Sequence, residues 1–356
     1  MDPIVFPAEA GTTNSGTMNS GTMNNGTTEK GKNMSNVIEL NQVSKRYRSV
    51  VAMDRMTLTV PQGVVFALLG ENGAGKTTTI RTLLGLEKPD SGSAKVLGLD
   101  PVRKGIEIRR RIGYVPDDPK LYDWMKVSEI GWFAGGFFPE GYAGEFSRLA
   151  DEFGLSDDVK IKTLSKGGKA KVALALAMAH RPDLLILDEP TSGLDTMVRR
   201  KFLESMVDVA AAGRTVFLSS HQIPEVERVA DYVAIVNEGK VRVCERLDVL
   251  KQQMEQWVVT LANPNMVLPV NQSHVLLHEG HGKQRQQLTV RSPDPDALWM
   301  LRDTDGVAQV EVHTPSLEEI FVAYMNASER NPEKLPHVGT SHDAKLESES
   351  TGEASA

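Results

Sequence analysis

Eight residues, Gly70-Glu71-Asn72-Gly73-Ala74-Gly75-Lys76-Thr77, restrict the fold of this chain more than any other stretch. They fit the pattern G-x-x-x-x-G-K-[ST]. The residues just before them, Val64-Val65-Phe66-Ala67-Leu68-Leu69, form an unbroken apolar run, as expected of a strand buried on both faces. Thr77 to Leu86 follows with mostly helix-compatible residues. A strand, a Gly-rich turn and a helix in that order make a cradle for phosphate. The glycines let successive backbone N–H groups converge, and the helix N-terminus adds its positive end. Lys76 then supplies a point charge toward the β- and γ-phosphates, and Thr77 a hydroxyl for Mg²⁺.

A second stretch points the same way. Leu184-Leu185-Ile186-Leu187 is an apolar strand that runs into Asp188-Glu189-Pro190. An Asp at the C-terminal end of a parallel strand lies in the crevice where such sheets bind ligands. There Asp188 is predicted to hold Mg²⁺, directly or through water. Glu189 projects differently and is predicted to orient and polarise an attacking water.

Between and around these motifs the pattern is α/β. Strands are predicted over Val37–Val43, Met56–Val60, Gly92–Leu97, Thr215–Ser219, Tyr232–Val236 and Val241–Cys244, the last two joined by a hairpin across Asn237-Glu238-Gly239-Lys240. Helices are predicted over Pro101–Ile112, Lys169–His180, Lys201–Ala211 and Glu225–Ala230. Alternating strands and helices imply a mainly parallel sheet covered on both faces. Arg109-Arg110-Arg111 reads as a solvated helix face rather than a phosphate site. Residues 117–163 are richer in aromatics and glycine, a composition expected of a subdomain inserted into the sheet fold.

The ends read differently. Gly11 to Lys30 is four pentads, GTTNS, GTMNS, GTMNN and GTTEK, too polar to offset the entropy of ordering. Ordered sequence is expected from Met34, which is either the true start of translation or the end of a disordered tail. From about residue 247 four strands (Trp257–Leu261, Val275–Glu279, Gln287–Val290, Val307–Val312) and two helices (Asp296–Arg302, Ser316–Met325) suggest a small α+β appendix. After Asn326 the chain is Ser-, Glu- and Pro-rich. The division expected is residues 1–35 disordered, 36–250 the nucleotide domain with its helical insert at about 117–163, 251–326 the appendix, and 327–356 a disordered acidic tail.

Composition removes several function classes. The net charge is −7, so no general affinity for nucleic acid is expected. Cys244 is the single cysteine, so no internal disulfide is possible. No apolar run approaches the roughly 18–20 residues that cross a bilayer, and no secretory signal is expected at the N-terminus. Any work on a membrane needs a membrane-spanning partner.

The motifs occur in one order that resembles the ATP-binding subunits of ABC transporters, from about Val37 to Leu250. Gly70–Thr77 corresponds to Walker A, Leu184–Glu189 to Walker B with its glutamate, Ser192-Gly193-Leu194-Asp195 to the D-loop and His221 to the switch histidine. Leu164-Ser165-Lys166-Gly167-Gly168 is similar to the family signature LSGGQ, with Lys166 in place of a glycine and Gly168 in place of the glutamine. Tyr47 stands where the family has a base-stacking aromatic; read by itself, it stacks on a base or covers the sheet edge. The resemblance implies a P-loop NTPase of the ABC ATPase type, with an antiparallel β subdomain, an inserted helical subdomain and a small C-terminal α+β domain.

It also implies a set of roles. Lys76, Glu189 and His221 are catalytic. Tyr47, Gly70, Glu71, Asn72, Gly73, Ala74, Gly75, Lys76, Thr77, Thr78, Ser165 and Gly167 bind ATP. Thr77, Asp188 and Asp117 hold Mg²⁺. Asp117 stands at the position of the family's Q-loop glutamine, after Tyr114-Val115-Pro116. Asp118 follows, and either carboxylate, or neither, takes that role. The implied partners are an integral membrane permease and a second ATPase subunit, in a homodimer or heterodimer paired head to tail. The implied place is cytoplasmic, on the inner face of the cell membrane through that permease, and the implied work is ATP hydrolysis for transport in the direction of export. A soluble ABC ATPase acting on a partner such as the ribosome is the alternative, but that class carries two cassettes and one Walker A is present here. Repair-type ATPases separate Walker A from the signature by long coiled coils, whereas Lys76 and Ser165 are 89 positions apart.

Overall fold

The computed structural model describes residues 35–330 except 193, 264–265, 267, 269–274 and 282–283. The pentads, Met34, Gly193 and the acidic tail from residue 331 lie outside the described residues. The order is β1 (Asn36–Tyr47), β2 (Val50–Pro61), β3 (Val65–Leu69), α1 (Lys76–Leu83), β4 (Ser91–Val96), α2 (Pro101–Arg111), β5 (Ile112–Val115), α3 (Val127–Gly135), α4 (Tyr142–Glu152), α5 (Lys166–Met178), β6 (Leu184–Asp188), α6 (Thr196–Ala211), β7 (Thr215–Ser220) and α7 (Ile223–Val226). Then come β8 (Tyr232–Asn237), β9 (Lys240–Arg246), α8 (Leu247–Gln252), β10 (Met254–Leu261), β11 (Val275–His281), β12 (Arg285–Arg291), α9 (Pro295–Arg302), β13 (Val307–His313) and α10 (Leu317–Arg330).

The chain divides into two compact units. Among the described residues one holds 35–43, Thr57–Val65 and Thr77–Ser219; the other holds Ser44–Met56, Phe66–Lys76 and 220–330. In the first unit β5, β6 and β7 run parallel, with Leu185 opposite Gly113 on one side and Val216 on the other. All five residues of β6 and all six of β7 are buried, which is why their sequence is apolar without alternation. Residues between Met125 and Ala179 share a further core: Ile130 and Ala134 of α3 meet Phe146 and Leu149 of α4, with Val172 and Ala175 of α5, so this core extends past the expected end of the insert at 163. A Cβ on Gly131 would stand 2.1 Å from the Phe146 ring, so glycine there lets α3 and α4 close.

In the second unit β3 pairs parallel with β8, and β8 antiparallel with β9. The β8–β9 turn takes left-handed angles at Glu238 (φ 50°) and Gly239 (φ 75°), as a two-residue hairpin turn that follows strand twist requires. Beyond α8 the strands β11-β12-β10-β13 form an antiparallel sheet. Trp257, Val259, Leu288 and Val290 cluster with Leu301 of α9 on one face. Gln256 points the other way and donates to Glu319 of α10 at 3.0 Å.

Several boundaries differ from the sequence reading. β1 and β2 are each twelve residues long, because the polar stretch after Val43 continues as a ladder to Tyr47 instead of turning. The Arg55 N–H donates to the Ser44 hydroxyl at 2.9 Å along it. α7 starts at Ile223 with Pro224 in its first turn, two residues before the start expected at Glu225, and ends at Val226. α8, unread in the sequence, is a six-residue helix held by buried Leu247 and Leu250. α10 continues to Arg330 past the expected end at Met325, since no breaker occurs before Pro332. In the arginine run Arg109 donates to the Leu84 carbonyl at 2.9 Å, and Arg111 pairs with Asp183 at 2.9 Å.

Candidate functional site

In the first unit the chemistry gathers at the C-terminal end of β6. Asp188 is buried, and its carboxylate accepts a 2.6 Å hydrogen bond from the Ser219 hydroxyl at the end of neighbouring β7. A second bond comes from the Thr77 hydroxyl. Burial raises the Asp188 pKa above the ordinary carboxylate range, these two bonds oppose the rise, and the charges of Glu189 and Asp117 add to it. Thr77, Asp117, Asp188 and Glu189 therefore share one electrostatic neighbourhood. Tyr114 belongs to it as well: burial first, then the Asp188 charge, pushes its pKa up to about 12, so it stays a neutral phenol.

Glu189 is half-buried and has a left-handed backbone, φ 48°, which costs a non-glycine residue on the order of 1–3 kcal/mol. Its N–H donates to the Ser219 carbonyl and hydroxyl, each at 3.2 Å, and its carbonyl accepts from Ser192 N–H at 3.0 Å. Ser219 thus fixes both acids, orienting one carboxylate and holding the other residue's backbone. The sequence reading treated it only as the end of a strand. Its position beside the end of β6 was the available signal, but strand order is not written in the sequence.

Asp117 and Asp118 are both exposed, but they differ in what they meet. The Asp118 carboxylate is bonded to Lys120, which holds its pKa below the usual range. Asp117 is the one whose charge reaches Asp188 and Tyr114. Ser165 is exposed and caps α5, its hydroxyl accepting from Gly168 N–H at 3.1 Å. Gly167 is buried, and a Cβ there would lie 3.5 Å from Leu194 and 3.6 Å from Val198. Lys166, one of the two residues of this stretch that depart from the family signature, donates to the Ser192 hydroxyl at 3.4 Å. Asp195 caps α6 through Met197 and Val198 N–H. Thr78 is half-buried, and its carbonyl accepts from Thr82 at 2.9 Å.

In the second unit the loop from Gly70 to Lys76 is wound around its own lysine. The Lys76 ammonium is buried and donates to the carbonyls of Gly70 at 2.7 Å and Glu71 at 3.2 Å. Phosphate oxygens are stronger acceptors than peptide carbonyls, so an incoming polyphosphate competes for these donors. Gly73 (φ 86°) and Gly75 (φ 106°) make the winding possible, and a Cβ on Gly75 would stand 2.2 Å from the Ala52 carbonyl. Glu71, Asn72 and Gly73 are exposed, while Ala74 is buried. A cleft of about 460 Å³ lies between this turn, the β8–β9 hairpin tip, and α10 with its Phe321 and Met325. Tyr47 is 39% exposed, with the Lys45 ammonium 5.3 Å from its ring centre. His221 is exposed, directly after β7.

The donors suit a nucleotide and Mg²⁺. Mg²⁺ keeps several waters and takes one or two protein oxygens beside phosphate oxygens. Asp188 and Thr77 offer that sparse set. Among the described residues there is no cluster of three or more His, Cys, Asp or Glu that would cage a metal by itself.

Comparison with known proteins agrees. The ABC transporter family profile matches residues 53–192. The bacitracin transport ATP-binding protein BcrA of Bacillus licheniformis is 34% identical over 299 residues, covering 81% of this chain and 97% of that protein. The Nod factor export ATP-binding protein I of Cupriavidus metallidurans is 34% identical over 216 residues, 58% of this chain and 70% of its own. A solved ATP-binding subunit of an ABC transporter superposes with a TM-score of 0.56 at 32% identity, over 61% of this chain and 92% of that one. With the phosphate loop, the buried aspartate and the strained glutamate in place, these relations make the chain a member of the ABC transporter ATP-binding proteins, P-loop ATPases that power transport.

Proposed function

We propose that this chain hydrolyses Mg-ATP as one half of an ATPase dimer and so drives export through a separate membrane permease. The observation that carries the mechanism is the shared serine. Ser219 binds the Asp188 carboxylate and the Glu189 backbone at once, so both acids are fixed relative to the end of β6. In this reading Lys76 turns its donors from the loop carbonyls to the β- and γ-phosphates. Mg²⁺, held by Asp188 and Thr77 with Asp117 near, would offset charge on the phosphate oxygens. Glu189 accepts a proton from the attacking water and aligns it. His221 donates a hydrogen bond to the γ-phosphate, and Tyr47 stacks on the base. Ser165 and Gly167 serve the nucleotide of the partner subunit, where Lys166 adds positive charge.

The domain division proposed is an ATPase body over 36–250, its insert at about 117–163, and a C-terminal domain over 251–326. The insert supports the permease reading. Trp124 and Trp132 are 66% and 77% exposed, Tyr122 is exposed beside Trp124, and Phe137 is exposed as well. Four exposed aromatics in one small subdomain suit a docking face rather than a core. Among the described residues no helix is long and apolar enough to cross a membrane, so a peripheral place on the inner face of the membrane requires such docking. The relationship to a Nod factor export protein supports the direction.

One experiment tests the whole reading. Glu189→Gln, expressed with its permease, should bind ATP, stop turning over and accumulate as a closed dimer. Steady-state turnover like wild type would remove Glu189 from the mechanism. Failure of the chain to copurify with any polytopic membrane protein would favour a non-transport partner.

A further inference from the structure

The phosphate loop does not hold its shape alone. At Gly75 its backbone presses on β2, where the space for a Cβ is taken by the Ala52 carbonyl at 2.2 Å. Gly239, at the tip of the β8–β9 hairpin, presses on the same place. A Cβ there would stand 3.0 Å from the Ala52 carbonyl oxygen and 3.1 Å from the Met53 Cα. Three backbones therefore converge with no room for side chains. They are also bonded in series. The Gly239 N–H donates to the Ala74 carbonyl of the loop at 3.1 Å, and the Asp54 N–H donates to the Gly239 carbonyl at 2.9 Å. Side chains lock the tip from both ends: Lys240 pairs with Asp54 at 3.2 Å, and Glu238 with the buried Arg242 at 3.3 Å. Where the loop begins, a Cβ on Gly70 would stand 2.6 Å from the Val236 carbonyl, so β8 backs that end too.

We infer that the Glu238-Gly239 tip is a positioning element of the phosphate loop, and that Gly239 sets the affinity for ATP without touching it. The inference rests on reading Gly70–Thr77 as the ATP phosphate site. The reason is directional. The Ala74 carbonyl must point outward, away from the phosphates, for the N–H groups of the following residues to point inward. Gly239 is the donor that holds it outward. At φ 75°, with a Cβ held 3.0 Å from the Ala52 carbonyl oxygen, a residue without a side chain delivers that N–H against β2 unstrained.

Two measurements on the full chain test this. In the wild-type protein, Mg-ATP should slow hydrogen exchange over residues 70–76 and over the tip 237–240 together. No slowing at either would reject the phosphate-site reading; slowing at the loop alone would overturn the inference. Gly239→Ala should raise the ATP dissociation constant roughly tenfold, the strain of a left-handed alanine plus a tight contact with Ala52. Gly213→Ala is the comparison, since Gly213 also has a positive φ of 81° but nothing within 4 Å of its Cβ position. Both variants should lower the melting temperature, but Gly213→Ala should leave ATP affinity unchanged. Equal effects of the two variants on ATP affinity would reduce Gly239 to a structural glycine.

Discussion

Two sets of strands in this molecule use opposite designs. β3, β6 and β7 are short and buried at every residue, and they run into the Gly70–Lys76 loop, Asp188 and the segment with His221, the groups that the proposed function uses. The C-terminal strands β10–β13 are seven or eight residues long, and β13 has no buried residue. Their polar residues tie the sheet to its helix, as Gln256 does to Glu319. The first design spends its strand ends on groups that are costly to bury. The second spends its faces on packing. Chemistry and stability should therefore respond to different substitutions.

Asp188→Asn should separate them most. Turnover dependent on Mg²⁺ should be lost by a hundredfold or more, on the order seen when a preorganised charge is removed. The ATP-free chain should at the same time melt higher at neutral pH. Burial holds the Asp188 carboxyl above its ordinary range, so ionising it costs more folded than unfolded. Stability without nucleotide should thus fall as pH rises from the unfolded value through the raised folded value, and the asparagine should flatten that slope. Calorimetry at several pH values checks this, and a lower melting temperature for the variant would contradict it.

Trp257→Ala is the opposite case. Trp257 is buried at the centre of the C-terminal core, and its loss should cost about 3–5 kcal/mol. Turnover per folded molecule should hold. Denaturant unfolding followed beside ATPase activity would show it; a loss of activity with folding intact would mean the appendix acts on the chemistry.

The smallest effect is expected at Asp117. Its charge reaches Asp188 although its side chain is exposed. Asp117→Asn should raise the Mg²⁺ concentration for half-maximal turnover a few-fold, about what one screened carboxylate contributes. Asp117→Gln should recover part of the activity. An unchanged Mg²⁺ dependence would make Asp117 a solvated turn acid.

The sequence disclosed the first design far better than the second. An unbroken apolar run followed by the Gly70–Thr77 pattern, and another ending in Asp188, name both strand and chemistry, because few other patterns bury a charge there. The C-terminal elements could be placed, but not their pairing order or the role of Gln256, since register is set by distant partners. Ser219 and Gly239 were invisible for a related reason. Each makes its hydrogen bonds to residues far along the chain, and nothing local marks a serine or a hairpin glycine as such a partner.

The left-handed backbone of Glu189 has a consequence for anyone who would improve this protein. Glycine occupies φ 48° without strain, and asparagine nearly so. A screen for heat resistance alone should therefore be drawn to Glu189→Gly or Glu189→Asn as easy gains. Each would yield a hardier protein that no longer turns over, so breeding for robustness must be paired with a test of work done.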